Sequence, residues 1–186
     1  MPIRSSLPLL AALLLAPLSP CASARDWQAD PAQSTLTFKG TYQSAPFAGR
    51  FGKFTAAIAF DESDPAKDRF DVQVSIASVA TESQERDDAL KSEDFFDAGK
   101  FPQAHFVTQS FAKNADGTLD AKGTLTIRDR ARPVVLRVKF VASGDHATLD
   151  VDTTLNRIDF GLGSSEDWAD VGKDVPVHGH LVLTGK

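Results

Sequence analysis

Cysteine is almost absent from this chain. Its one cysteine, Cys21, lies close to the start, so no intrachain disulfide and no cysteine-based metal cluster can form. Tyrosine and methionine also occur once each, against thirteen phenylalanines. Long apolar runs are missing as well. The only one, Leu7 to Leu18, has about 12 residues where a membrane helix needs roughly 20. A formal charge of −5 makes the chain a poor candidate for binding nucleic acid, which needs clustered positive surface. No repeat of solenoid length and no low-complexity tract appears. Catalytic signatures are lacking too. There is no G-x-S-x-G nucleophile elbow, and Gly161-Leu162-Gly163 follows no strand–helix pattern that would make it a phosphate loop. Asp94 and Asp97 flank aromatic residues and read as turn or helix caps. Nothing in the sequence argues for an enzyme.

What is present begins with an export signal over residues 1–24. Arg4 supplies the positive n-region, Leu7 to Leu18 the apolar core, and Ala22-Ser23-Ala24 the small-residue cleavage pattern. The expected location is therefore periplasmic. A lipoprotein processed at Cys21 is the rival reading, but Leu18-Ser19-Pro20 before the cysteine fits that processing poorly. Loss of Arg4 makes the chain one unit more negative. The remainder, 25–186, is sized for one domain with a substantial core.

Period-2 alternation dominates that remainder. Phe54, Ala56, Ile58 and Phe60 share a face, as do Phe70, Val72, Val74 and Ile76. The pattern returns at Leu119 to Ile127 and at Val134, Leu136, Val138 and Phe140. It closes with Leu149, Val151, Thr153 and Leu155, then Val175 to Leu183. With Leu36–Phe38 and His105–Phe111 this makes about eight strands, each with an apolar and a wetter side. Tight reversals at 61–65, 114–117 and 143–145 follow strands, and only one short helix (Glu82 to Lys91) is visible, so the strands pair antiparallel. A second irregular segment, 159–174, is a long loop rich in Gly, Ser and Asp that carries Trp168. An all-β barrel or sandwich follows. Phenylalanine gives rigid apolar walls without a polar tip, which serves a solid core and a ligand cavity equally well.

Three polar groupings stand out. His178 and His180 form an H-x-H pair with zinc-like spacing, but they alternate with Val177 and Leu181 and so face outward, with no third ligand motif. Arg157 and Asp159, two apart, share a strand face and could pair, either as a latch for the following loop or as a polar mouth that meets a ligand head group. Arg128, Arg130 and Arg132 cluster at a hairpin turn and read as a solvated rim.

The chain resembles the YceI-like family of exported bacterial proteins. The resemblance rests on Asp30-Pro31 with Ser34–Phe38, Gly49-Arg50-Phe51, Phe95-Phe96-Asp97, Phe101-Pro102-x-Ala104-x-Phe106, Gly123-x-Leu125-x-Ile127 and Arg157-x-Asp159-Phe160-Gly161. It implies a lipocalin-like antiparallel barrel of about eight strands with one short surface helix, holding a polyisoprenoid or isoprenoid quinone. No cofactor is implied, dimers occur in the family, and a membrane protein that exchanges the lipid is a natural further partner. On that reading the wall comprises Phe38, Phe54, Ile58, Val74, Phe106 and Leu125, followed by Ile127, Leu136, Val138, Leu155, Phe160, Trp168 and Leu181. Phe95, Phe96 and Phe101 would close one end, with Arg157 and Asp159 at the mouth. The alternatives are a solid-cored interaction domain in envelope stress and a metal enzyme using His178 and His180.

Overall fold

The computed structural model describes residues 25–61 and 65–186. The export signal, Cys21 and the middle of the 61–65 reversal lie outside the described residues. Eleven strand segments form one antiparallel sheet: β1 (Arg25–Ala29), β2 (Thr35–Tyr42), β3 (Ala45–Phe51), β4 (Phe54–Phe60), β5 (Arg69–Ser75), β6 (Val79–Ala80), β7 (Gln103–Lys113), β8 (Leu119–Ile127), β9 (Arg130–Ser143), β10 (His146–Asn156) and β11 (Asp174–Gly185). Three pairs of segments are halves of longer strands: β1 with β2, β3 with β4, and β5 with β6. That leaves eight strands running up and down in chain order. The ring closes because β11 pairs along one edge with both β2 (Val177↔Phe38) and β1 (Leu183↔Ala29). Closure pairs each of the eight strands with a neighbour on both sides for part of its length, which limits the exposed sheet edge that could template aggregation.

The segments missing from the expected pattern, β1 and β3, are those with weak alternation. Trp27 is the one buried residue of β1, and β3 carries Pro46, Ala48 and Gly49. Aromatic cross-strand partners stand in for side chains there. A Cβ at Gly49 would run into the ring of Phe38, its register partner, and one at Gly40 into Phe47. The two-residue β2–β3 turn has both Gln43 and Ser44 left-handed (φ 50° and 64°), which matches the right-handed twist of the flanking strands.

The two ends of the barrel are built differently. At one end the 65–68, 114–118 and 144–145 turns close over a plug contributed by the strands themselves: Trp27, Phe60, Phe70, Leu119, Val138, Leu149 and Leu183 are all buried there. Rings interlock in it, with Phe60 and Phe140 at 4.0 Å and Trp27 edge-on to Phe140 at 5.3 Å. At the other end two irregular segments, 81–102 and 157–173, fold across the opening. The first contains α1 (Gln84–Lys91), which starts on an Ser83 cap accepting from the Arg86 N–H. It carries Glu85 and Asp87 in its first turn and Lys91 in its last, all favourable to the helix dipole. It has no buried residue, the expected surface helix.

Candidate functional site

Between the strand plug and the folded-over segments lies an apolar cavity of about 230 Å³. Its wall comes from inward positions of nearly every strand, so the alternation visible in sequence is what creates it. Of the sequence-assigned positions, Phe38, Phe54, Ile58, Val74, Phe106, Leu125, Ile127, Leu136, Leu155, Phe160 and Leu181 line it, together with Phe95 and Phe96 from the end cover. Among the described residues, the polar side chains on the wall are Thr153 and Arg157. A barrel filled to a solid core is not what this sequence builds.

Two assigned wall residues, Val138 and Trp168, and one assigned to the end closure, Phe101, sit elsewhere. Val138, fully buried, belongs to the strand plug, because register places it opposite Leu119 and Val151. Trp168 backs the cover from outside, edge-on to Phe95 at 4.9 Å. Phe101 lies beyond the left-handed turn at Asp97 (φ 48°), where the Lys100 ammonium and Arg128 guanidinium approach its ring. In their place the wall takes Phe70, Val72 and Phe51, among others, and Leu90 from α1. Phe70 and Val72 were already on an apolar alternating face. Leu90 had a signal too, as the lone large apolar residue of a charged helix.

The cover is held by two arginines. Arg128, itself left-handed (φ 56°), donates to the carbonyls of Glu93 (3.1 Å) and Phe95 (2.9 Å), so it clamps the 81–102 segment. This overturns its reading as a solvated rim residue. Arg130 and Arg132 do stay exposed, with the Arg130 guanidinium lying where a Cβ at Gly161 would sit. The second clamp is Arg157. It occupies a 3-10 turn, Arg157–Phe160, rather than a strand, and is 5% exposed. Its Nε donates to Gly172 O (3.0 Å), Nη1 to Leu162 O (2.6 Å) and Gly163 O, and Nη2 to Trp168 O (2.9 Å) and Val171 O (2.8 Å). All five N–H donors of the guanidinium are therefore used. Burial pushes its pKa below the ordinary arginine value. No ion pair forms with Asp159, which is exposed, so the paired polar mouth does not exist and Arg157 is a loop latch acting on carbonyls. The two cover segments also join each other: Gly163 donates to Asp94 O at 2.6 Å, and a Cβ at that glycine (φ 54°) would strike Phe95.

His178 and His180 lie on the outer face of β11, hydrogen-bonded to Asp152 (2.8 Å) and Asp150 (2.6 Å) of β10. Among the described residues no three His, Cys, Asp or Glu side chains converge as metal ligands.

A small closed antiparallel barrel with an apolar interior void is the architecture of lipocalin-type binding proteins. Residues 27–183 match the YceI-like domain, and the chain belongs to that family. It is 40% identical over 97 residues to Protein YceI of Escherichia coli O157:H7, a match covering 52% of this chain and 50% of that protein. The chain thus spans about half the length of the curated relatives it matches. Among solved structures, BcnA of Burkholderia cenocepacia superposes with a TM-score of 0.79 at 28% identity, covering 84% of this chain and 99% of BcnA. A polyisoprenoid binding domain from Saccharophagus degradans shares the fold, with a TM-score of 0.70 over 86% of this chain and 98% of that domain at 14% identity.

Proposed function

We propose that this protein is a periplasmic carrier that holds a long apolar lipid of isoprenoid type, a polyprenyl chain or an isoprenoid quinone, inside its barrel without covalent chemistry. The observation that carries this is the cavity itself. Left unfilled, an apolar space of about 230 Å³ costs on the order of 5 kcal/mol at about 24 cal/mol per Å³, a large share of the 5–15 kcal/mol that typically holds a domain together. An apolar occupant removes that cost. Each stretch of prenyl chain enclosed gains roughly 25 cal/mol per Å² of apolar surface removed from water, of which ordering the chain returns much. With the Arg157 donors all taken by carbonyls, no strong hydrogen-bond donor waits in the wall, so head-group selectivity is low. The polyisoprenoid binding named for the Saccharophagus degradans domain of the same fold is consistent with such a ligand.

Organic extraction of natively purified protein followed by mass spectrometry tests the proposal. A stoichiometric long-chain lipid in the wild type, lost in a folded Phe106→Glu or Leu136→Asp variant, is the expected result. An empty protein that also refuses added isoprenoid quinone sinks the carrier and leaves an interaction domain. Periplasmic fractionation with N-terminal sequencing checks export, with Arg25 as the expected first residue.

A further inference from the structure

The cavity is blind at one end. Four buried residues belong at once to the strand plug and to the cavity wall, namely Ile58, Phe70, Leu149 and Leu181, and these mark its floor. Phe70 has the largest side chain of the four and is 2% exposed. Behind it stand more rings. Phe111 is edge-on at 4.9 Å and Phe60 lies at 6.5 Å, with Phe60 in turn stacked on Phe140. That stack fills the barrel between the floor and the strand-plug end. Phe70 is also fixed from both sides along its backbone: it pairs with Ile58 of β4, and its N–H donates to Thr108 Oγ1 at 2.9 Å beside the β7 bulge. The opposite end is covered by segments outside the eight strands, held to the barrel by scattered hydrogen bonds such as Gly172 N–H to Thr41 O (2.9 Å) and Gln43 N–H to Asp170 O (3.0 Å) rather than by a continuous ladder. Opening there costs less than parting strands, and a chain that enters from the α1 end runs toward Phe70.

We propose that Phe70 is a ruler: its ring is the floor on which the tail of the bound chain stops, and it sets the longest isoprenoid the barrel encloses. This rests on the carrier reading above. Each isoprene unit adds buried apolar surface until the tail reaches the floor, and a further unit must stay outside. A benzyl side chain and an isoprene unit are of similar bulk, so truncating the ring to alanine makes room for about one unit more, by the same loss of packed volume that opens cavities in protein cores.

The test is a ladder of all-trans prenyl alcohols of increasing length, with affinities measured for the wild type, Phe70→Ala and Phe70→Leu. In the wild type, affinity rises on the order of tenfold or more per unit and then stops rising. The first alcohol past that break binds more tightly to Phe70→Ala by on the order of tenfold, and to Phe70→Leu by less. Leucine keeps most of the apolar volume, so Phe70→Leu decides the matter if the alanine variant does not fold; near-UV circular dichroism reports which variants are native. An unchanged break in a folded variant that still binds the shorter alcohols overturns the ruler and leaves the carrier standing. A wild type that binds no member of the ladder removes the carrier reading, and the ruler falls with it.

Discussion

Replacing Arg157 with methionine keeps the length and much of the packing of the side chain and removes its five donors. Five backbone carbonyls, of Leu162, Gly163, Trp168, Val171 and Gly172, then lose their partner. Taken singly, a hydrogen bond from a charged donor is worth about 1.5–3 kcal/mol, and five of them would exceed the stability of many domains. They do not add, because Trp168, Val171 and Gly172 are only half-buried and their carbonyls regain water once the loop loosens, whereas Leu162 and Gly163 are buried. An overall loss of about 3–5 kcal/mol is the working figure, that of leaving two or so buried carbonyls without a donor at about 1–3 kcal/mol each. For a chain of this size it lowers Tm by roughly 6–20 °C. Lysine separates charge from geometry. It keeps the cation but brings three donors to five carbonyls, so at least two stay unbonded and most of the loss persists. Thermal and urea denaturation give the totals. Hydrogen exchange gives the location: faster exchange at the N–H groups of Leu162, Gly163 and Gly172, with the β8–β9 ladder unchanged. A lysine variant as stable as the wild type, or a methionine variant losing under about 1 kcal/mol, would refute the latch.

Two further predictions concern the cavity and the acid limb. A Cβ at Gly179 would sit in ordinary contact with Leu181, Leu36 and Val151, at 3.5–3.8 Å. Gly179→Leu therefore grows into the void without backbone strain, and it should raise the stability of lipid-free protein while cutting lipid retention severalfold; full retention in the folded variant would argue that the ligand lies elsewhere. Asp116 accepts from the Thr118 hydroxyl and N–H and from Arg137, which together hold its carboxyl at about 2 instead of 3.8. A depressed folded pKa stabilises at pH above the unfolded value, and that contribution is lost as pH falls toward 2. Asp116→Asn should thus lower the urea midpoint at pH 7 and match the wild type near pH 2; an equal gap at both values would contradict the assignment.

Much of the barrel is legible in the sequence because it depends on local rules. The Phe54–Phe60 and Leu119–Ile127 alternations coincide with β4 and β8 in full. The turn at 143–145 matches the two-residue loop after β9, and Gly144 there is left-handed (φ 62°). β1 and β3 are less legible, since their pairing depends on distant partners, β11 for one and Phe38 lying over Gly49 for the other. The roles of the arginines are the least legible. Arg128 and Arg157 bond to carbonyls, a group every residue carries, so sequence offers no partner to search for. Asp159 is near Arg157 in the chain but exposed, and closeness in sequence does not make it the partner.

The sequence by itself determined which side of each strand faces inward, because a strand turns over every residue and an apolar row must be buried. It also determined that the lining would be smooth and nonpolar, because thirteen phenylalanines against one tyrosine leave few polar tips to place. Only the tertiary structure decided where along the barrel axis each inward residue falls. Strand register alone puts Leu136 at the cavity and Val138, two residues on, in the plug. That placement separates wall from floor and leaves a void where an equally apolar chain could have packed solid. The physical reason is that alternation fixes a face, whereas height in a closed barrel is set by the pairing of all eight strands together.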